Sequence, residues 1–297
     1  MKISVIGAGQ MGNGIAHVFA QGGHDVVLID IAQASLDKAM ATIGKNMGRQ
    51  VEKGKLTEED RQSALARITT STDTATGITN AELVIEAATE NVDLKLKIFK
   101  DIDAHAPKSC ILATNTSSIS ITKIAAATGR PGQVIGMHFM NPVPVMKLVE
   151  VIRGYNTSDA VTSTVMELSR AIGKVPVEVR DYSGFVANRI LMPMINEAIE
   201  TLFQGVGGVA EIDTVMKLGM AHPMGPLQLA DFIGLDTCLA IMRVLHDGFG
   251  QPKYAPCPLL VQMVTAGKLG VKSGEGFYAY TPGSKDLVVA PAFASGR

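Results

Sequence analysis

The sequence predicts an α/β chain in which a doubly wound, mostly parallel sheet is followed by an all-helical C-terminal domain. Three observations predict it. Short β-rich apolar runs alternate with helix-period stretches through the first 180 residues, the pattern of βαβ units. Near Asp181-Tyr182-Ser183-Gly184 the character changes, and from Phe185 onward the pattern is helical. The 297 residues also match two domains at roughly 150 residues each.

The apolar runs occupy residues 3–6, 26–29, 83–87, 111–113, 134–137 and 148–152, with a later one at 175–179. Between the first two lies a helix over 11–20, and Val92-Asp93-Leu94-Lys95-Leu96-Lys97-Ile98-Phe99 carries a 3.6 period. Residues 37–65 are polar and helix-prone, with Lys45, Arg49, Lys53 and Lys55 along them. That stretch is too long for a plain crossover and reads as a projecting helical hairpin. Helical stretches follow at 186–203, 211–218 and 227–249, with Gly and Pro as punctuation. The expected division is 1–183, 184–280 and a Pro-, Gly-, Ser- and Ala-rich tail over 281–297.

Composition excludes several classes. Apolar residues make up 46% and charged residues 19%, which suits a packed core and not disorder. A formal charge of −1 and a pI of about 6.6 lack the basicity of a nucleic-acid binder. No run approaches the roughly 20 apolar residues of a membrane span. The three cysteines, Cys110, Cys238 and Cys257, are odd in number and form no CxxC pair. They argue against a disulfide framework or a metal site and for a cytoplasmic location. The opening residues, Met1 to Ile6, read as a buried strand and not as a targeting leader.

Gly7-Ala8-Gly9-Gln10-Met11-Gly12 is a GxGxxG that follows the first strand and opens a helix. This spacing alone is weak; with a strand before it, a helix after it and a second strand ending in Asp30, it becomes a Rossmann-type dinucleotide fingerprint. Gly7 permits the tight turn, Gly9 the approach of backbone to a pyrophosphate, and Gly12 close helix–strand packing. The helix start at Gln10 and Met11 offers its N–H groups to the phosphate charge. Asp30 lies 18 residues beyond Gly12, where a carboxylate accepts the adenosine ribose hydroxyls and repels a 2′-phosphate. Ile31-Ala32-Gln33 supply no arginine, so NAD is expected over NADP. The competing reading is a glycine-rich turn with a helix-capping aspartate.

Of six histidines, five sit in ordinary helix, turn or loop settings. His138 differs. It ends the run at 134–137, is followed by Phe139-Met140-Asn141-Pro142-Val143-Pro144, and the chain returns through Lys147-Leu148-Val149-Glu150-Val151. An antiparallel return centred on Pro144 places Glu150 directly opposite, with both side chains on one sheet face. A carboxylate on one imidazole nitrogen fixes the tautomer and leaves the other to exchange a proton. Pairing alone fits a strand-end histidine beside a surface glutamate equally well. Asn115-Thr116-Ser117-Ser118 follows the run at 111–113, at the sheet edge where open α/β folds bind ligands, or is a polar loop capping the next helix. Asn188 opens the helical domain, where a helix cap is the plain alternative.

With these residues in view, the chain resembles the 3-hydroxyacyl-CoA dehydrogenase family. The resemblance rests on Gly136-Met137-His138-Phe139-Met140-Asn141-Pro142, Asn115-Thr116-Ser117-Ser118, Gly184-Phe185-Val186-Ala187-Asn188-Arg189 and Pro223-Met224-Gly225-Pro226. It runs from Met1 to Tyr280, and the compact length resembles that of bacterial short-chain members. It implies oxidation of an (S)-3-hydroxyacyl-CoA, 3-hydroxybutanoyl-CoA in the short-chain case, with His138 as general base or acid and Glu150 as its partner. Ser117 and Asn188 are implied at the reacting oxygen, and Ser117, Asp30, Glu90, Lys95, Asn141 and Lys272 at NAD. Lys53 and Asn46 are implied at the CoA moiety, and the helical domain at a homodimer interface.

Two other functions stay open. Relatives with the same His–Glu framework oxidise sugar acids such as gulonate, and a NAD-binding protein without turnover is the non-enzymatic reading. The basic stretch from Lys45 to Lys55 favours a CoA phosphate over a free sugar acid. An intact set of His138, Glu150, Ser117 and Asn188 disfavours the non-enzyme.

Overall fold

The computed structural model describes residues 1–284 and 286–294, and the chain forms two units, Met1–Tyr182 and a second that begins at Ser183. The first unit runs β1 (Lys2–Ile6), α1 (Gln10–Gln21), β2 (Asp25–Ile29), α2 (Gln33–Glu52), α3 (Glu58–Ala66), β3 (Ile68–Ser71), α4 (Thr74–Ile78) and β4 (Leu83–Glu86). It continues with α5 (Val92–His105), β5 (Ile111–Thr114), α6 (Ile121–Ala125), β6 (Val134–Phe139), β7 (Leu148–Arg153), α7 (Asp159–Ala171) and β8 (Val175–Arg180). The eight strands lie in the order β3-β2-β1-β4-β5-β6-β7-β8. The first six are parallel, β7 returns antiparallel to β6, and β8 runs parallel to β7. The chain order reverses between β1 and β4, which opens a ligand crevice at their C-terminal ends.

Burial explains the strands that the sequence marks. Every residue of β4 and β6 is buried, because helices cover both faces of a parallel sheet and leave no polar side to alternate. The edge strand β3 goes unmarked because Ile-Thr-Thr-Ser buries only Ile68. The hairpin expected as a projection over 37–65 is longer and better seated. Its first helix starts at Gln33, and Leu36, Ala39, Ile43 and Met47 form one buried stripe that joins the main core. The apolar period of α2 holds it against α1, so it does not stand clear of the unit.

The second unit contains α8 (Ala187–Phe203), α9 (Val209–Thr214), α10 (Pro226–Ile233), α11 (Leu235–Phe249) and α12 (Pro258–Thr265) around a core that includes Ile195, Leu227, Leu239 and Phe277. The stretch 227–249 is two helices, because Gly234 adopts a φ of 99° between them. Two buried carboxylates organise this unit. Asp213 accepts the N–H groups of Leu227 and Gln228 at 2.9 and 3.0 Å and the Tyr278 hydroxyl at 2.8 Å. Asp231 accepts from Phe277 N, Tyr278 N and Tyr280 Oη, and burial pushes its carboxyl up to about 6.

The segment expected as a tail carries structure. β9 (Tyr278–Ala279) pairs antiparallel with β10 (Val288–Val289), and α13 (Pro291–Ala294) follows. Phe293 lies 5.8 Å from the Phe277 ring, so apolar anchors among Pro, Gly and Ser suffice to dock it. Part of that segment, Lys285 and residues 295–297, lies outside the described residues.

Candidate active site

The nucleotide end of the first unit is built by steric necessity. A Cβ on Gly12 would sit 1.7 Å from the Gly7 carbonyl oxygen, and one on Gly7 would meet Ala87 O at 2.7 Å. Only glycines let α1 close on the β1 turn. A Cβ on Gly9 meets nothing within 4 Å, so the backbone there faces open space. No side chain caps the start of α1 and no acidic residue lies in its first turn, which leaves the helix N-terminus electropositive. Asp30 accepts Ala8 N at 2.8 Å and Ala32 N at 3.1 Å, one bond to each oxygen, and each oxygen keeps a lone pair for a ribose hydroxyl. These features fit a dinucleotide. Gln10 Nε2 donates to Asn141 Oδ1 at 3.0 Å, tying the start of α1 to the segment after β6.

His138 and Glu150 pair directly across β6 and β7, with His138 Nδ1 2.8 Å from Glu150 Oε2. Their residues are 6% and 2% exposed, so the contact is shielded from water. The carboxylate only accepts, hence Nδ1 carries the proton and Nε2 of the neutral ring holds a lone pair. The Ser117 hydroxyl lies 3.1 Å from that Nε2 and donates to it. Two further side chains hold this geometry. Asn115 Oδ1 accepts Phe139 N at 2.9 Å, fixing the end of β6. Lys174 Nζ donates to Val143 O at 2.5 Å and Met146 O at 2.8 Å, seating the turn between β6 and β7, and burial lowers its pKa.

A charged cluster backs the Ser117 loop. Glu90 Oε1 accepts from Thr116 Oγ1, Ser117 N, Ser118 N and Ser118 Oγ at 2.5–3.1 Å. Lys95 Nζ lies 2.6 Å from Glu86 Oε1 and 3.4 Å from Glu90 Oε2. Lys95, expected at NAD, is only 1% exposed. Its ammonium is turned inward by the buried Glu86 carboxylate, and the residue to which it points, Glu90, is the more accessible partner.

The family models agree with this architecture over nearly the whole chain. The NAD-binding domain of 3-hydroxyacyl-CoA dehydrogenase matches residues 2–182, and the C-terminal domain of that family matches 184–280. The chain belongs to the 3-hydroxyacyl-CoA dehydrogenase family. A Deinococcus radiodurans protein named "Probable 3-hydroxybutyryl-CoA dehydrogenase" is 57% identical over 94% of this chain and 100% of its own. The 3-hydroxybutyryl-CoA dehydrogenase of Bradyrhizobium diazoefficiens is 55% identical over 94% and 95%. The crystal structure of (S)-3-hydroxybutyryl-CoA dehydrogenase from Ralstonia eutropha superposes with a TM-score of 0.92 at 53% identity, covering 94% of this chain and 99% of that one.

Within this family member, four other sequence-marked residues lie on α2 and in the second unit. Asn188 lies in the first turn of α8 and Lys272 in a short turn of the second unit, where it pairs with Asp236. Asn46 lies on α2, and Lys53 caps its C-terminus, exposed. The thiols are chemically quiet: burial pushes Cys110 up to about 11 and Cys238 up to about 12. Glu86 and Lys174 are the site residues that motif reading misses, and Asn115, marked by its motif, gains a role there at the end of β6. The one available signal is a charged residue inside an apolar run, which Glu86 provides at the end of Leu-Val-Ile-Glu.

Proposed function

We propose that the protein catalyses the reversible, NAD-dependent oxidation of a short-chain (S)-3-hydroxyacyl-CoA, 3-hydroxybutanoyl-CoA, to the 3-oxoacyl-CoA. The observation that carries this reading is the buried His138–Glu150 pair, 2.8 Å apart, with Ser117 on the opposite imidazole nitrogen. NAD⁺, when bound, accepts the hydride that leaves C3. His138 Nε2 takes the C3 hydroxyl proton, and in the reverse direction the imidazolium returns it to the carbonyl oxygen. Glu150 keeps Nδ1 protonated and stabilises the cation that forms. Ser117 and Asn188 hold the reacting oxygen. Acid–base help of this kind is worth roughly 10²–10⁴-fold.

For the cofactor, we assign Gly7, Gly9, Gln10, Met11 and Gly12 to the pyrophosphate, Asp30 to the adenosine ribose, and Glu90, Ser117, Asn141 and Lys272 to the nicotinamide half. Lys95 acts through Glu90. Half-buried Asn46 on α2 and exposed Lys53 at its C-cap take the CoA moiety, where a cation suits its phosphates. The second unit is assigned to homodimer formation. Its surface exposes Ile190, Phe203, Val206 and Leu218 at 66%, 51%, 74% and 82%, an apolar set that a second copy would cover. A cytoplasmic location suits the three free cysteines. Among the described residues no helix is long and apolar enough to cross a membrane.

Initial rates test the activity: NADH with acetoacetyl-CoA, with longer 3-oxoacyl-CoAs, and NAD with gulonate. Acetoacetyl-CoA should give the highest kcat/KM, and light scattering on the same sample should give twice the 31.3 kDa chain mass. Turnover of gulonate in place of acetoacetyl-CoA would sink the assignment.

A further inference from the structure

The most deeply buried opposite charges beside the site belong to residues that touch neither His138 nor its carboxylate. Glu86 ends β4 at 0% exposure and Lys95 on α5 is 1% exposed. Burying an ion pair costs desolvation that two apolar side chains of similar volume would avoid. Core packing alone therefore does not account for it. Both oxygens of Glu86 instead lead to the loop that carries Ser117. Oε1 receives Lys95 Nζ at 2.6 Å, and that ammonium lies 3.4 Å from Glu90 Oε2. Glu90 then gathers four donors from Thr116, Ser117 and Ser118 on its other oxygen. Oε2 of Glu86 accepts the Thr114 hydroxyl at 2.7 Å, and Thr114 Oγ1 accepts Thr116 N at 3.2 Å.

We propose that the buried Glu86–Lys95 pair positions Ser117 against His138, acting through Glu90. The proposal rests on the reading of Ser117 and His138 given above, and makes Lys95 a positioning residue. Glu86 fixes the ammonium, the ammonium fixes the Glu90 carboxylate, and the carboxylate fixes the backbone and hydroxyls of the loop. Without the ammonium, Glu90 and the loop donors it gathers lose their tie to the buried Glu86, and the Ser117 hydroxyl loses its aim at Nε2. A misplacement near 1 Å in such a site costs on the order of 10²-fold in rate.

A double-mutant cycle separates positioning from direct cofactor contact. Lys95→Met and Ser117→Ala are made singly and together, and kcat is measured with saturating NADH and acetoacetyl-CoA, alongside the NADH dissociation constant by fluorescence. Lys95→Met should lower kcat by roughly ten- to a hundredfold in the native background and less than about twofold when Ser117 is already alanine. Equal losses in both backgrounds, or a change confined to KM and affinity for NADH, would overturn the proposal. Ser117→Ala with unaltered kcat would instead show that the reading of Ser117 itself fails. If Lys95→Met does not fold, the pair Glu86→Gln with Lys95→Met, which leaves no lone buried charge, carries the same cycle.

Discussion

At the residue scale the chemistry concentrates on one nitrogen. His138 has two ring nitrogens with separate duties: Nδ1 is committed to Glu150 at 2.8 Å and Nε2 faces Ser117 at 3.1 Å. Because Glu150 is 2% exposed, water competes little for its charge, and the imidazolium formed during oxidation has a nearby counter-ion. His138→Gln keeps a polar side chain of similar reach but has no group that accepts and returns a proton near neutral pH. Its kcat for 3-hydroxybutanoyl-CoA oxidation should fall by roughly 10²–10⁴-fold. NADH affinity, measured by fluorescence, should stay within about twofold, or 0.4 kcal/mol, since the ring lies off the glycine loop. Turnover at the native rate in this variant removes His138 from the chemistry.

At the scale of elements, steric demands are what the sequence spells out clearly. The β1–α1–β2 unit is legible because Gly7 and Gly12 have no substitute where α1 meets the turn. The opposition of His138 and Glu150 is legible because an antiparallel return of known length fixes its own register. Other features are not. β3 shows a single buried apolar residue, Ile68, and so leaves no period to read. Two helices merge in the pattern of 227–249 because the φ of 99° at Gly234 has no signature beyond the glycine itself. Lys95 falls within a helical period that does not say whether its long side chain turns out to a ligand or inward to Glu86. Gly12→Ala tests the strongest of these demands. With its Cβ 1.7 Å from Gly7 O, α1 must shift away from β1. The variant should lose about 1–3 kcal/mol of stability by denaturant unfolding and bind NADH more weakly. Native stability and affinity together would show that the glycine is not sterically required.

At the scale of the whole molecule, the two units should respond to acid in opposite directions. In the first, His17 on α1 is fully buried, with Nε2 near Gln21 and Gln50 and, among the described residues, no partner at Nδ1. Burial pushes it down to about 4 from 6.5. Between those values the unfolded chain binds a proton that the native unit refuses, so stability is lost as pH falls. His24, also lowered by burial, acts in the same sense. In the second unit Asp231 is raised from 3.8 to about 6. Between those values the native unit holds a proton that the unfolded chain releases, so stability grows as pH falls. From pH 7 to pH 5, His17 costs the first unit about 2 kcal/mol, while Asp231 returns about 1 kcal/mol to the second. Native-state hydrogen exchange, corrected for intrinsic rates, reads each unit separately. Amides of β1 to β6 should lose protection at pH 5 while those of α8 to α12 gain it. His17→Gln should weaken the first trend alone, leaving the part due to His24, and Asp231→Asn should flatten the second alone. Parallel loss in both units, unaltered by either substitution, would mean that neither buried group sets the acid response.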